Sequence, residues 1–79
     1  DNVVNNIYPN PAENYCIVEN DAPIQLAVYS VTGKLLSLEN YAPGRNVIAT
    51  NNLASGLYFL KITNLDTKKV HTSKLLVKL

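Results

Sequence analysis

Seventy-nine residues make one domain, which buries only about 60% of its unfolded surface, and a single cysteine leaves no internal disulfide to staple it. A net charge of +1 from sparse, balanced charges excludes a nucleic-acid surface and an acidic solvating tail, and no apolar run approaches the ~20 residues of a membrane span. The lack of methionine and of a basic-then-apolar leader at residues 1–6 leads us to expect a soluble piece of a longer protein, with any export signal on the missing part.

Residues 1–6 are polar and asparagine-rich and read as the end of a linker, so the domain is expected over 7–79, with a first short strand near Ile7 and Tyr8. Pro9, Asn10 and Pro11 follow. The two prolines fix φ and bias Tyr8 and Asn10 toward extended backbone, and their missing amide protons place this stiff stretch at a sheet edge. A plain linker is the alternative. Asn14 to Glu19 predicts a second strand that is apolar on both faces, and so either covered on both sides or carrying Cys16 as a small buried hydrophobe, and Asn20-Asp21-Ala22-Pro23 is a turn by composition.

Ile24 to Val31 predicts a third strand, with Ile24, Leu26 and Val28 on one face. Thr32 is β-branched and resists positive φ, so the connection is expected to be a three-residue loop with Val31 and Thr32 in a turn and Gly33 left-handed. Lys34 to Leu38 then returns antiparallel, with Leu36 and Leu38 sharing a face. Glu39 to Arg45 reads as a surface crossover, and Asn46 to Thr50 as a fifth strand.

The strongest local signal is Leu53 to Ile62. A tight turn through Ala54, Ser55 and Gly56 feeds a strand in which Tyr58, Leu60 and Ile62 share one face, and glycine at 56 suits positive φ. A Leu-x-x-Gly-x-Tyr corner of this kind points the tyrosine inward and lets its hydroxyl reach back to a backbone group a few residues upstream; Tyr58 is assigned that role. After a hairpin loop at 64–68, Val70 to Leu79 predicts the last strand. His71, Ser73, Leu75, Val77 and Leu79 fall on one face, and Val70, Thr72, Lys74, Leu76 and Lys78 on the other.

No stretch keeps a helical apolar period. Seven short strands with turn signals between them indicate an all-β, antiparallel, immunoglobulin-like β-sandwich, whose core is expected to include Ile17, Leu26, Val28, Leu36, Val47, Tyr58, Leu60, Ile62, Leu75 and Val77. There is no Ser/His/Asp set with distinctive context, no metal-ligand cluster and no phosphate loop, so neither a catalytic residue, a metal site nor a cofactor is expected, and His71 reads as a surface residue. The proline-bearing amino-terminal strand meets the condition for strand exchange between isolated copies, giving a homodimer.

Four segments, Tyr8-Pro9-Asn10-Pro11-Ala12, Val28-Tyr29-Ser30-Val31-Thr32-Gly33-Lys34, Leu53-Ala54-Ser55-Gly56-Leu57-Tyr58 and Lys74-Leu75-Leu76-Val77-Lys78, stand in an order that resembles one family: the type A C-terminal sorting domain of cargo of the type IX (Por) secretion system of Bacteroidetes. The likeness spans Ile7 to Leu79. Cys16 and the Arg45-Asn46 approach to the fifth strand depart from it without touching its motifs. The resemblance implies an address label at the carboxyl end of a cargo protein. That cargo enters the periplasm by a separate amino-terminal signal, is recognised by the outer-membrane translocon and its shuttle proteins, and is usually cut at the surface by a sortase-like cysteine peptidase, here in or before the segment preceding Ile7. Pro9, Asn10, Pro11, Gly33, Lys34, Gly56, Tyr58, Lys74, Leu75, Leu76, Val77 and Lys78 are the residues it marks for recognition. The alternative is an immunoglobulin- or fibronectin-III-like accessory module of a secreted hydrolase. A carbohydrate-binding version of it would need a planar exposed aromatic row, which is hard to build without tryptophan from tyrosines expected mostly to point inward.

Overall fold

Alternating apolar residues, rich in β-branched and aromatic types, give strands because such side chains pack well on a pleated surface. In the computed structural model, which describes residues 4–9 and 12–78, they form β1 (Val4–Tyr8), β2 (Tyr15–Asn20), β3 (Ile24–Ser30), β4 (Leu35–Tyr41), β5 (Gly44–Ala49), β6 (Gly56–Asn64) and β7 (Val70–Val77). Asn10, Pro11 and Leu79 lie outside the described residues. The strands form two sheets, a smaller one ordered β1-β2-β5 and a larger one ordered β4-β3-β6-β7. All strand pairings are antiparallel, and among the described residues there is no helix. The sheets pack face to face as a sandwich.

The core lies between them. The smaller sheet contributes Cys16 and Val18; the larger contributes Ile24, Leu26 and Val28, then Tyr58, Leu60 and Ile62, then Leu75 and Val77, with Ala12 completing the cluster. Each fully buried branched side chain stabilises the fold by about 1.5–3 kcal/mol. Ile17 is also buried, but it pairs with Tyr8 and Val47 on the outward face of the smaller sheet, opposite Cys16 and Val18.

Two residues expected in the core are not there. Val47 is 60% exposed, because β5 turns Ile48 toward the core and so leaves Val47 beside Ile17 on the outside. Leu36 is 40% exposed. The β3–β4 register shifts between Val28 and Tyr29, so that Tyr29 pairs with Leu35 and Val28 with Ser37; Leu36 is the extra residue of this bulge. It lines the gap between the sheets, whereas Leu38 pairs with Ala27 on the outward face, so the two leucines do not share a face.

The surface crossover expected over Glu39 to Arg45 is also absent. β4 continues through Tyr41 and β5 starts at Gly44, so only Ala42 and Pro43 carry the chain from the larger sheet to the smaller. Gly44, at φ +129°, takes a backbone conformation that side chains resist, and an asparagine pair, Asn20 buried and Asn46 half-buried, clamps the corner. The Asn20 amide donates to the carbonyls of Ala22 at 2.9 Å and Ala42 at 3.1 Å. Asn46 donates at 2.9 Å to both the Asn20 side-chain oxygen and the Ala42 carbonyl. Buried amides persist only when so satisfied.

Candidate functional site

β6 and β7 pair so that Gly56 faces Val77, Leu57 faces Leu76 and Tyr58 faces Leu75, while Ser30 at the end of β3 faces Tyr58 from the other side. Beyond β7, Ala12 forms a parallel bridge to Val77, its amide donating to the Leu76 carbonyl and its carbonyl accepting from the Lys78 amide, both at 2.7 Å. Ala12, the β3–β4 turn, the Gly56–Tyr58 corner and the Lys74–Lys78 end, all from segments singled out in the sequence, are therefore gathered at one end of the larger sheet.

Each piece has its own geometry. In the β3–β4 turn the Gly33 amide donates to the Ser30 carbonyl at 2.9 Å, with Val31 and Thr32 at the centre and Gly33 at φ +92°, as the sequence predicts. The Ser30 hydroxyl accepts from the Lys34 amide at 3.1 Å, and Lys34 itself is exposed. At the corner, Gly56 has φ +155°, and the buried Tyr58 sends its hydroxyl to the Ala54 carbonyl at 2.6 Å. Leu75 and Val77 are core residues and hold β7 in place, while Lys74, Leu76 and Lys78 are exposed. Pro9 is exposed at the end of β1, an edge strand. Asn10 and Pro11 fall outside the described residues.

Several features carry no clear sequence signal. Between the sheets lies a cavity of about 220 Å³ lined by Cys16, Leu26, Leu36, Glu39, Thr50 and Leu53 among others. The Thr50 hydroxyl is buried there without a partner. Burial pushes the Cys16 thiol up to about 11, and burial, with Glu39 and Cys16 nearby, raises Tyr41; a thiol so shifted is unreactive at neutral pH.

The outward face of the smaller sheet carries Tyr8 and Tyr15, 37% and 46% exposed, against the expectation that tyrosines mostly point inward. The Tyr8 hydroxyl and the Asn6 amide donate to the Glu19 carboxylate at 3.2 and 3.1 Å. Hydrogen bonding to Tyr8 is the largest cause of the upward shift of Arg45. Among the described residues no cluster of three or more His, Cys, Asp or Glu side chains could hold a metal ion.

The family model for a secretion system C-terminal sorting domain matches residues 6–78. No curated protein sequence matches the chain. Among solved structures the chain is similar to PorZ, an essential bacterial surface component of the type IX secretion system of Porphyromonas gingivalis, with a TM-score of 0.79 at 21% identity. The similarity covers 96% of this chain and 11% of PorZ, so the chain spans about a tenth of that protein's length, and the likeness is one of fold.

Proposed function

The chain belongs to the family of type IX secretion C-terminal sorting domains, and from that premise we propose that it is a non-catalytic address label that directs an attached cargo across the outer membrane. Cargo of this family is secreted or held at the cell surface. The observation that carries the reading is the family match over nearly the whole chain, residues 6–78, which favours sorting over an accessory module. In this proposal residues 7–79 carry the sorting signal and residues 1–6 lead in from the cargo, their last three already part of β1, and the cargo passes through the periplasm before a sortase-like peptidase cuts in or before the segment preceding Ile7.

The translocon reads the domain in its folded form. Lys74, Leu76 and Lys78 then make the contact, while Leu75, Val77 and Tyr58 act by fixing the strand that presents them. Gly33, Lys34 and Gly56 shape the same end of the fold, and Pro9, Asn10 and Pro11 take part in recognition. Strand exchange through β1 is proposed for isolated copies only.

The test fuses the chain to the carboxyl end of a periplasmic fluorescent reporter, expressed in a type IX-competent bacterium and in its translocon-deficient mutant. Fluorescence at the surface or in the medium is expected in the competent strain alone. Equal export in both strains, or none in either, overturns the proposal.

A further inference from the structure

The larger sheet has a second face, turned away from the core, and its composition is one-sided. Strand pairing lines up Leu35, Tyr29, Phe59 and Lys74 in one row and Leu38, Ala27, Lys61 and Thr72 in the next, with Leu57 beside Leu76 at the end. Leu35, Leu38, Leu57 and Leu76 are all exposed large apolar residues. Exposed leucines set around the half-buried Tyr29 and Phe59 are the kind of surface that marks an interaction site.

Its charge has one sign. The charged residues in these rows are Lys61 and Lys74, and Lys78 continues the outward side of β7 at its end. The described carboxylates are all elsewhere. Glu39 pairs with Leu26 and lines the inter-sheet cavity, Glu19 pairs with Asn6 and Arg45 on the smaller sheet, and Glu13, Asp21 and Asp66 lie outside the strands.

We propose that this outward face is the docking surface for a protein partner whose own surface is apolar and studded with carboxylates. The proposal deepens the sorting reading and rests on it, extending recognition from the end of β7 across all the strands of the larger sheet. Apolar rows supply the contact area, and the lysines select an acidic partner and orient it, since electrostatic complementarity contributes specificity and encounter rate more than raw affinity. A protein fits better than a lipid bilayer. Insertion into a membrane boundary takes apolar groups about 5–10 Å deep, whereas here Phe59 and Tyr29 are half-buried in a pleated surface and Lys61 stands in the middle of a row, between Ala27 and Thr72.

Three measurements test the proposal. Export of the reporter fusion is measured for the double variant Lys61→Glu, Lys74→Glu and for Val47→Glu on the opposite face of the sandwich, with melting temperatures for both. The double variant is expected to lose export about tenfold or more while melting like the parent, and Val47→Glu to be exported normally. Full export of the double variant, or an equal loss in both, overturns the proposal.

The isolated chain is then titrated by NMR with an alternating leucine–glutamate peptide at low salt. Shifts are expected at Tyr29, Phe59, Lys61 and Lys74 and are abolished in the double variant; no binding, or binding elsewhere, overturns the inference. This arm decides the inference even if the unsubstituted fusion shows no translocon-dependent export, a result that would count against the sorting reading. Sedimentation with vesicles of mixed phosphatidylcholine and phosphatidylglycerol is expected to leave the domain in solution, and co-sedimentation overturns the protein partner in favour of a bilayer.

Discussion

The Tyr58 hydroxyl donates a 2.6 Å hydrogen bond to the Ala54 carbonyl, tying β6 to the turn that opens it. Tyr58 packs in the core beside Leu75 and Val77, so the bond also fixes where β7 lies. Replacing Tyr58 with phenylalanine keeps the ring and removes the bond. Ala54 is exposed and its carbonyl can turn to water, which limits the cost to about 1 kcal/mol. The expected fall in melting temperature is roughly 4–8 °C for a domain of this size, and thermal denaturation of the variant measures it.

Gly56→Ala tests the backbone rather than a contact. No neighbouring atom lies within 4 Å of a β-carbon built at Gly56, so the strain of placing a side chain at φ +155° is the only source of destabilisation. We expect a loss of about 1–3 kcal/mol, read from denaturant unfolding at unchanged m-value. A neutral substitution would show that the corner relaxes without cost.

Leu60→Ala and Val47→Ala together test the arrangement of the strands. Leu60 is 1% exposed, and truncating it is expected to cost roughly 2–5 kcal/mol, enough to unfold much of a domain this small. Val47 on the outside should change stability by less than about 0.5 kcal/mol. Similar costs at the two sites would contradict the observed facing of β5.

Alkaline unfolding should carry a signature of Cys16. The thiol's usual value is 9.0 and burial raises it to about 11 in the fold. Below 9.0 both folded and unfolded chains keep the proton and the contribution is fully present. As pH rises the unfolded chain ionises first, so stability falls between 9.0 and about 11, by about 1.4 kcal/mol per pH unit. The quantity that isolates the thiol is the difference between wild type and Cys16→Ala. Parallel stability curves from pH 8 to 11 for the two proteins would refute the burial of the thiol.

The Lys74, Leu76 and Lys78 contact proposed for β7 predicts a separation of export from stability. Lys74→Ala with Lys78→Ala should impair export of the fusion while the isolated domain melts at the parental temperature, because both side chains are exposed and surface substitutions change stability by less than about 0.5 kcal/mol. Fluorescence of the medium and a thermal melt of the same variant decide it; full export, or a melting temperature that falls with it, contradicts a recognition role.

What the sequence determined by itself was whatever residue parity decides. A strand's side chains alternate between its faces, so once Tyr58, Leu60 and Ile62 are read as one face, and Leu75 and Val77 as another, their burial together follows. The Gly56 corner and the Gly33 turn were legible for a related reason, since positive φ leaves a local mark in residue choice.

Parity is silent where both faces of a strand are apolar. In Asn46-Val47-Ile48-Ala49 either register buries something, and only the position of β5 beside β2 chose Ile48. At Leu36 an extra residue in β4 resets the alternation, an event visible only in the pairing with β3. Asn20 reads as a turn residue and Asn46 as the start of a strand, because the hydrogen bonds that join them depend on the Ala42 carbonyl, brought to them when the chain passes between sheets. The apolar and cationic outward face is of the same kind: Leu35, Tyr29, Phe59 and Lys74 come from separate strands, and only sheet pairing sets them in one row, because strand neighbours are chosen by the packing of the whole domain and not by any one segment.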